Sequence, residues 1–152
     1  MLKVYTDGSA RPNPGPGGAG AVIVDDDVAI IELVHAGGET TNNRMELYAL
    51  IMTYPHLPKD KPVTLYTDSQ YVQKGLTEWI DNWLRHDWKT SAGKPVKNDD
   101  LWRKLLKLRK EFPNVKISWI KAHNGHKWNE HADKLANRGT AKSKEVISSK
   151  FL

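Results

Sequence analysis

Residues 2–36 read LKVYTDGSARPNPGPGGAGAVIVDDDVAIIELVHA, and this stretch decides the fold. Leu2–Thr6 is a short apolar run of strand character. Ala19–Val24 and Val28–Ala36 are two more strands, joined by a tight turn at Asp25-Asp26-Asp27. The segment from Ser9 to Gly18 holds three prolines and three glycines and reads as a loop. Three consecutive strands with short connections predict an antiparallel meander. The Asp25-Asp26-Asp27 run reads as a solvated hairpin tip and not as a metal site.

After Ala36 the pattern alternates. Thr41–Tyr54 is a helix, with Thr41 or Asn42 near its cap and Pro55 as its end. Val63–Thr67 is a fourth strand. Ser69–Gly75 and Thr77–Leu84 are helices separated by Gly75. Asn98 caps a helix through Lys110, with Asp99 and Asp100 in its first turn. Val115–Ile120 is the fifth strand and Lys127–Gly139 the last helix. Strands alternating with helices add parallel members to a meander. The expectation is one α/β domain: a five-stranded mixed sheet, three antiparallel strands then two parallel, flanked by helices on both faces. The 152 residues suffice for one such core. The tail, 140–152, mixes Lys and Ser with Val146, Ile147, Phe151 and Leu152 and is expected to fray unless tied down.

Composition narrows the function. The chain has no cysteine, which excludes disulfides and thiolate metal sites and suits a reducing compartment, so a cytoplasmic location is expected. No apolar stretch approaches the roughly 18 residues needed to cross a bilayer, and Met1 leads straight into the first strand, leaving no room for a signal peptide. The net charge of +5 is uneven: residues 1–60 hold 4 Lys/Arg against 8 Asp/Glu, residues 61–152 hold 19 against 10. A basic second half suits a polyanionic partner; a merely solvated surface explains it equally well from charge alone.

Four segments place a carboxylate in a distinctive setting: Thr6-Asp7-Gly8-Ser9, Asn42-Asn43-Arg44-Met45-Glu46-Leu47, Thr67-Asp68-Ser69-Gln70 and Asn129-Glu130-His131-Ala132-Asp133. Asp7 and Asp68 each close a strand; Glu46 and Asp133 lie inside helices. Each has a plainer explanation. Asp7 before Gly8 suits a turn, Glu46 suits the helix dipole, and Asp68 suits an N-cap. Asp133 has the weakest such explanation, because Asp is a poor helix former. Acids from four elements that meet at one point repel one another. A pair of divalent cations relieves that repulsion, and hard carboxylate oxygens suit Mg²⁺ or Mn²⁺, not zinc.

Taken in this order, the four segments resemble a type 1 ribonuclease H. The resemblance continues through Asn13-Pro14-Gly15-Pro16-Gly17-Gly18, the Trp79–Lys97 region and Lys121-Ala122-His123-Asn124-Gly125-His126, and covers residues 1 to about 139. It implies a catalytic domain over 1–139 with the ribonuclease H-like fold, a basic protrusion over 79–97, and hydrolysis of the RNA strand of RNA–DNA hybrids. It implies two Mg²⁺ ions, with Mn²⁺ as a substitute, held by Asp7, Glu46, Asp68 and Asp133, with Asp7 bridging both. Glu130, three residues before Asp133, is the rival ligand; the family pattern favours Asp133. His123 is implied as the histidine that assists proton transfer or product release, in a loop that departs from the usual pattern by carrying Ala122 where glycine is common. His126 and His131 do not form a metal-binding pattern with it.

The resemblance also implies a hybrid-binding surface. Gly8, Ser9, Asn13, Thr41, Asn42, Asn43 and Gln70 adjoin the acids, and amides suit a ribose 2′-hydroxyl, which both donates and accepts. Trp79, Trp83 and Trp88 with Arg85, Lys89, Lys94 and Lys97 would grip the DNA strand through stacking and phosphate neutralisation. For Trp79 and Trp83, packing of the protrusion's base is at least as good an explanation. A monomer is expected. Two rivals stand beside this reading. A DNA nuclease or strand-transferase of the same fold would not need the amide cluster, and a non-catalytic hybrid-binding module would not need all four acids.

Overall fold

The structure of the chain, a computed structural model, describes residues 1–121 and 126–149. Its sheet has five strands in the order β3-β2-β1-β4-β5. They are β1 (Leu2–Ala10), β2 (Gly15–Asp25), β3 (Val28–Thr40), β4 (Val63–Thr67) and β5 (Val115–Trp119). β1/β2 and β2/β3 are antiparallel; β1/β4 and β4/β5 are parallel. The mixed topology expected from the sequence is the topology found.

The period-2 alternation of the strands sorts their side chains between two faces. Val4, Ile23, Val63 and Leu65 turn to one face, where they pack with Leu47 and Leu50 of helix α1 (Asn42–Ile51) and with Trp102 and Leu105 of α4 (Asp99–Glu111). Tyr5, Val22 and Val24 turn to the other, against Ala132 and Leu135 of α5 (Lys127–Ser149).

The first three strands are longer than expected. β1 continues past Thr6 to Ala10 and β2 begins at Gly15, so the supposed Ser9–Gly18 loop shrinks to residues 11–14. The glycines explain the difference. They are contact surfaces within strands, where sequence composition reads as turn. A Cβ on Gly20 would lie 2.4 Å from the Ala136 nitrogen, and one on Gly18 would lie 2.4 Å from the Thr140 nitrogen, so α5 rests its backbone directly on β2. Gly8 does the same for α1, where a Cβ would lie 2.3 Å from the Met45 carbonyl carbon.

Helix boundaries also shift. α1 ends at Ile51, not Tyr54, and Pro55 sits inside a separate 3₁₀ turn over Tyr54–His56. Thr41 is the α1 cap, its hydroxyl accepting from Arg44 N at 3.2 Å. Ser69, not Asp68, caps α2 (Gln70–Lys74), accepting from Val72 N at 3.1 Å. Gly75 does not separate two helices. It opens a π-helical stretch, Gly75–Trp79, that runs into α3 (Ile80–Arg85). The glycine is there for space, since a Cβ would lie 2.2 Å from the Trp102 ring. Asn98 does precede α4, but in a left-handed conformation (φ 63°) and without a side-chain cap bond. Its side chain instead accepts from Arg44 and donates to the Tyr71 hydroxyl. Finally, α5 runs past Gly139 to Ser149, and its residues Thr140 and Ser143 are buried.

Candidate active site

The four acids come together where the parallel and antiparallel halves of the sheet meet. Asp7 lies within β1 and Asp68 directly after the neighbouring β4. Thr6 ties the two strands, donating its hydroxyl to Tyr66 O at 2.8 Å, and the Trp119 indole donates to Asp68 O at 3.1 Å. Glu46 arrives from α1, brought close by Gly8. Asp133 arrives from α5, brought close by Gly18 and Gly20.

Electrostatics agree with the convergence. The Asp7 carboxyl is pushed up to about 9, first by burial, then by the charge of Asp68 and by a hydrogen bond to Asp133 with that group's charge; the Gly8 N–H, at 2.9 Å, opposes the shift. Glu46 is pushed up to about 7 by burial, against a hydrogen bond from the Ser69 hydroxyl, with the Asp68 charge adding to the rise. Buried carboxylates that raise one another's affinity for protons are a hallmark of a functional site. Of the two candidate acids in α5, Glu130 is exposed whereas Asp133 bonds Asp7.

The donor set is all carboxylate oxygen, which suits Mg²⁺ or Mn²⁺. Among the described residues no three His, Asp or Glu side chains are already gathered into a closed ligand set. The acids meet pairwise: Asp7 bonds Asp133 and feels the charge of Asp68, which also acts on Glu46.

Around the acids the amides are arranged as donors. Asn42 Oδ1 accepts from Ala10 N at 2.7 Å, and Asn13 Oδ1 accepts from Asn42 N at 3.1 Å. Both oxygens are therefore engaged, and among the described residues neither side-chain NH₂ has a protein partner, so both can donate outward. Asn43 and Gln70 are exposed, and Ser9 Oγ is buried without a partner among the described residues. His123 and Ala122 lie outside the described residues. The His126 ring packs 5.0 Å from that of Tyr5, and His131 faces Glu32 at 3.4 Å.

Residues 79–97 are mostly exposed. After α3 the chain folds into a small hairpin, with Lys89 bridged to Pro95 and Val96 N donating to Trp88 O at 2.9 Å. Trp79 and Trp83 are half-buried, and Trp83 packs edge-on to Trp102 at 5.4 Å. Trp88 is only 8% exposed, beneath the Arg103 guanidinium, so it packs the base of the hairpin and leaves little ring surface for stacking. Arg85, Lys89, Lys94 and Lys97 are exposed, and among the described residues none forms an ion pair.

Sequence reasoning missed three supports of this site. Ser69, next to Asp68 in the chain, holds Glu46. Arg44 pairs with Asp100 at 2.9 Å and so ties α1 to the start of α4. Asp27 is not simply solvated: it accepts from the Trp128 indole at 2.6 Å and faces Lys127 at 3.6 Å, fastening the start of α5 to the hairpin tip. None of the three has a local signature, because each partner is distant in sequence.

Comparison with known proteins agrees with the geometry. The fold is ribonuclease H-like. LC11-RNase H1, solved in complex with an RNA/DNA hybrid, matches with a TM-score of 0.72 at 28% identity, over 94% of this chain and 99% of that one. The RNase H family model matches residues 1–141. The Ribonuclease H of Marinobacter nauticus is 52% identical over 90% of this chain and 91% of its own length, and that of Pseudomonas savastanoi is 48% identical over 97% of each. The chain belongs to the ribonuclease H family, as a type 1 enzyme.

Proposed function

We propose that this chain is an endoribonuclease that hydrolyses the RNA strand of RNA–DNA hybrids by a two-metal mechanism, leaving 3′-hydroxyl and 5′-phosphate ends. The observation that carries this is the Asp7 cluster: four acids from four elements, buried enough to push Asp7 up to about 9, beside amides whose oxygens are engaged and whose NH₂ groups have no partner among the described residues. Mg²⁺ ions, or Mn²⁺ in their place, held by Asp7, Glu46, Asp68 and Asp133 would supply an activated water and neutralise charge at the phosphate.

The chain's own residues do the rest. Water oxygen bonds to phosphorus and gives up a proton, the P–O3′ bond breaks, and the leaving 3′-oxygen takes up a proton. Ser69 keeps Glu46 turned inward. Asn13, Thr41, Asn42, Asn43 and Gln70, with Gly8 and Ser9 beside Asp7, recognise the RNA strand through its 2′-hydroxyls, which a DNA strand lacks. His123 serves proton transfer or product release, for which a pKa near neutrality is suited. His123→Ala is expected to lower turnover in part, since bulk water can replace a proton carrier inefficiently, with little change in KM; unchanged turnover across pH 6–9 would make it a bystander.

Arg85, Lys89, Lys94 and Lys97 neutralise phosphates of the DNA strand, with Trp79 and Trp83 bracing them. Replacing Lys89, Lys94 and Lys97 with Ala should flatten the dependence of log K on log salt, by roughly 0.9 for each duplex phosphate left without its cation. Turnover at saturating substrate should survive. A lowered melting temperature with an unaltered salt slope would assign this segment to stability alone.

The amide donors speak against a DNA-specific nuclease or strand-transferase, and the intact, buried acid cluster speaks against a non-catalytic binding module. We take the protein to act as a cytoplasmic monomer; among the described residues no helix is long and apolar enough to cross a membrane. Product analysis tests the mechanism. Cleaved RNA should carry 5′-phosphate ends and cleavage should stop in EDTA; 2′,3′-cyclic phosphate products or EDTA-resistant cleavage would overturn it.

A further inference from the structure

We infer that the Ser143 hydroxyl is a positioning group for hybrid recognition, acting through the two backbone arms that carry the amide donors; this rests on the role proposed above for those amides. Ser143 lies beyond the stretch matched by the family model, which ends at residue 141, and is 1% exposed.

β2 and β3 lose register between Gly17 and Gly18. Gly17 faces Gly38 and Gly18 faces Ala36, so Gly37 is an extra residue on β3. At such a bulge the ladder is locally disrupted and backbone groups are left without their strand partners. Here a side chain from α5 fills the gap. Gly38 N donates to Ser143 Oγ at 3.0 Å, and Ser143 Oγ donates to Gly17 O at 2.6 Å. The hydroxyl is spliced between two facing residues of the sheet.

Both strands lead from this point into the amide cluster. Going back from Gly17, β2 opens at Gly15, after the loop that carries Asn13. Going forward from Gly38, β3 runs through Thr40 into the Thr41 cap and Asn42. The arms meet again where Asn42 N donates to Asn13 Oδ1 and Asn42 Oδ1 accepts from Ala10 N. Ser143 therefore fixes the roots of the arms whose tips present NH₂ groups to the RNA strand. It touches neither substrate nor acids. Its loss should loosen discrimination between ribose and deoxyribose and leave the phosphate grip of the distant protrusion intact.

The test measures Kd for a hybrid and for the DNA duplex of the same sequence, in EDTA, for the full chain. S143A should weaken hybrid binding and leave duplex binding unchanged, so that the preference for hybrid falls about three- to tenfold, the equivalent of one hydrogen bond. S143C keeps the shape but not the hydrogen bonding and should behave alike; it is read alone if S143A does not fold. Asn114→Ala is the control for general loosening, because Asn114 bonds Pro58 O and Lys61 O, each at 2.7 Å, far along the chain from both arms; it should change neither Kd. Asn13→Ala separates the amide role from the Ser143 role. If it leaves the hybrid preference unchanged, the amide reading fails. If it lowers the preference while the Ser143 variants do not, or if Asn114→Ala lowers it as much as they do, the positioning role of Ser143 is overturned.

Discussion

Asp7→Asn is expected to reduce hybrid cleavage by about a thousandfold or more, on the scale of losing a group that stabilises charge at the reacting centre, while making the metal-free protein more stable. An amide cannot hold the cations that the carboxylate holds, so activity is lost. The stability gain follows from the same geometry. Asp7 is held at about 9 by burial and by Asp68 and Asp133, so the folded chain retains a proton that the unfolded chain releases near pH ~4. Folded stability is therefore fully present below about pH 4 and is lost progressively as pH rises toward about 9. Asparagine has no proton to hold, so the variant escapes that pH-dependent loss. Urea midpoints in EDTA at pH 5 and pH 8 check this: the parent should lose more stability across the interval than the variant. Equal losses would mean that Asp7 does not carry the buried charge.

Gly20→Ala should damage the fold far more than one added methyl group ordinarily does. The new Cβ would lie 2.4 Å from Ala136 N and 2.6 Å from Ala132 O. These are backbone atoms of a helix and cannot swing aside as a side chain can. Ordinary overpacking costs about 1–3 kcal/mol, and lifting α5 off the sheet should cost at least the top of that range. Asp133 rides on the same helix one turn away, so whatever folded protein remains should also show lowered turnover. A melting curve and single-turnover cleavage of a hybrid check both parts. A parent-like melting temperature would show that α5 has slack against β2, which the close approach of the two backbones excludes.

Those glycines mark where sequence reading succeeded and where it stopped. The strand alternation in Val4–Tyr5 and Val22–Val24 is a local signal, so the meander and its mixed extension were legible. So were the four acids, because each stands in a short motif with its own neighbours. Gly15, Gly17 and Gly18 were not legible as strand residues. Composition records that a side chain is missing and cannot say whether a turn needed its freedom or a helix needed its space. Gly75 misled for the same reason, since its partner is Trp102, distant in sequence. Ser69 was displaced as a cap by Asp68 because either side chain can cap; only the bond to Val72 N distinguishes them. The supports given by Arg44–Asp100, Asp27–Trp128 and Ser143 are long-range pairings of ordinary polar residues, and one sequence contains no trace of them.

The central claim is that the acid cluster and its amide neighbours act together on the RNA strand of a hybrid. It is tested most directly by offering the purified protein, in Mg²⁺, three end-labelled duplexes of one sequence: RNA–DNA, DNA–DNA and RNA–RNA. Internal cuts are expected in the RNA strand of the hybrid, with neither of the other duplexes cleaved at a comparable rate. Comparable cleavage of the DNA duplex, or an intact hybrid, would contradict it.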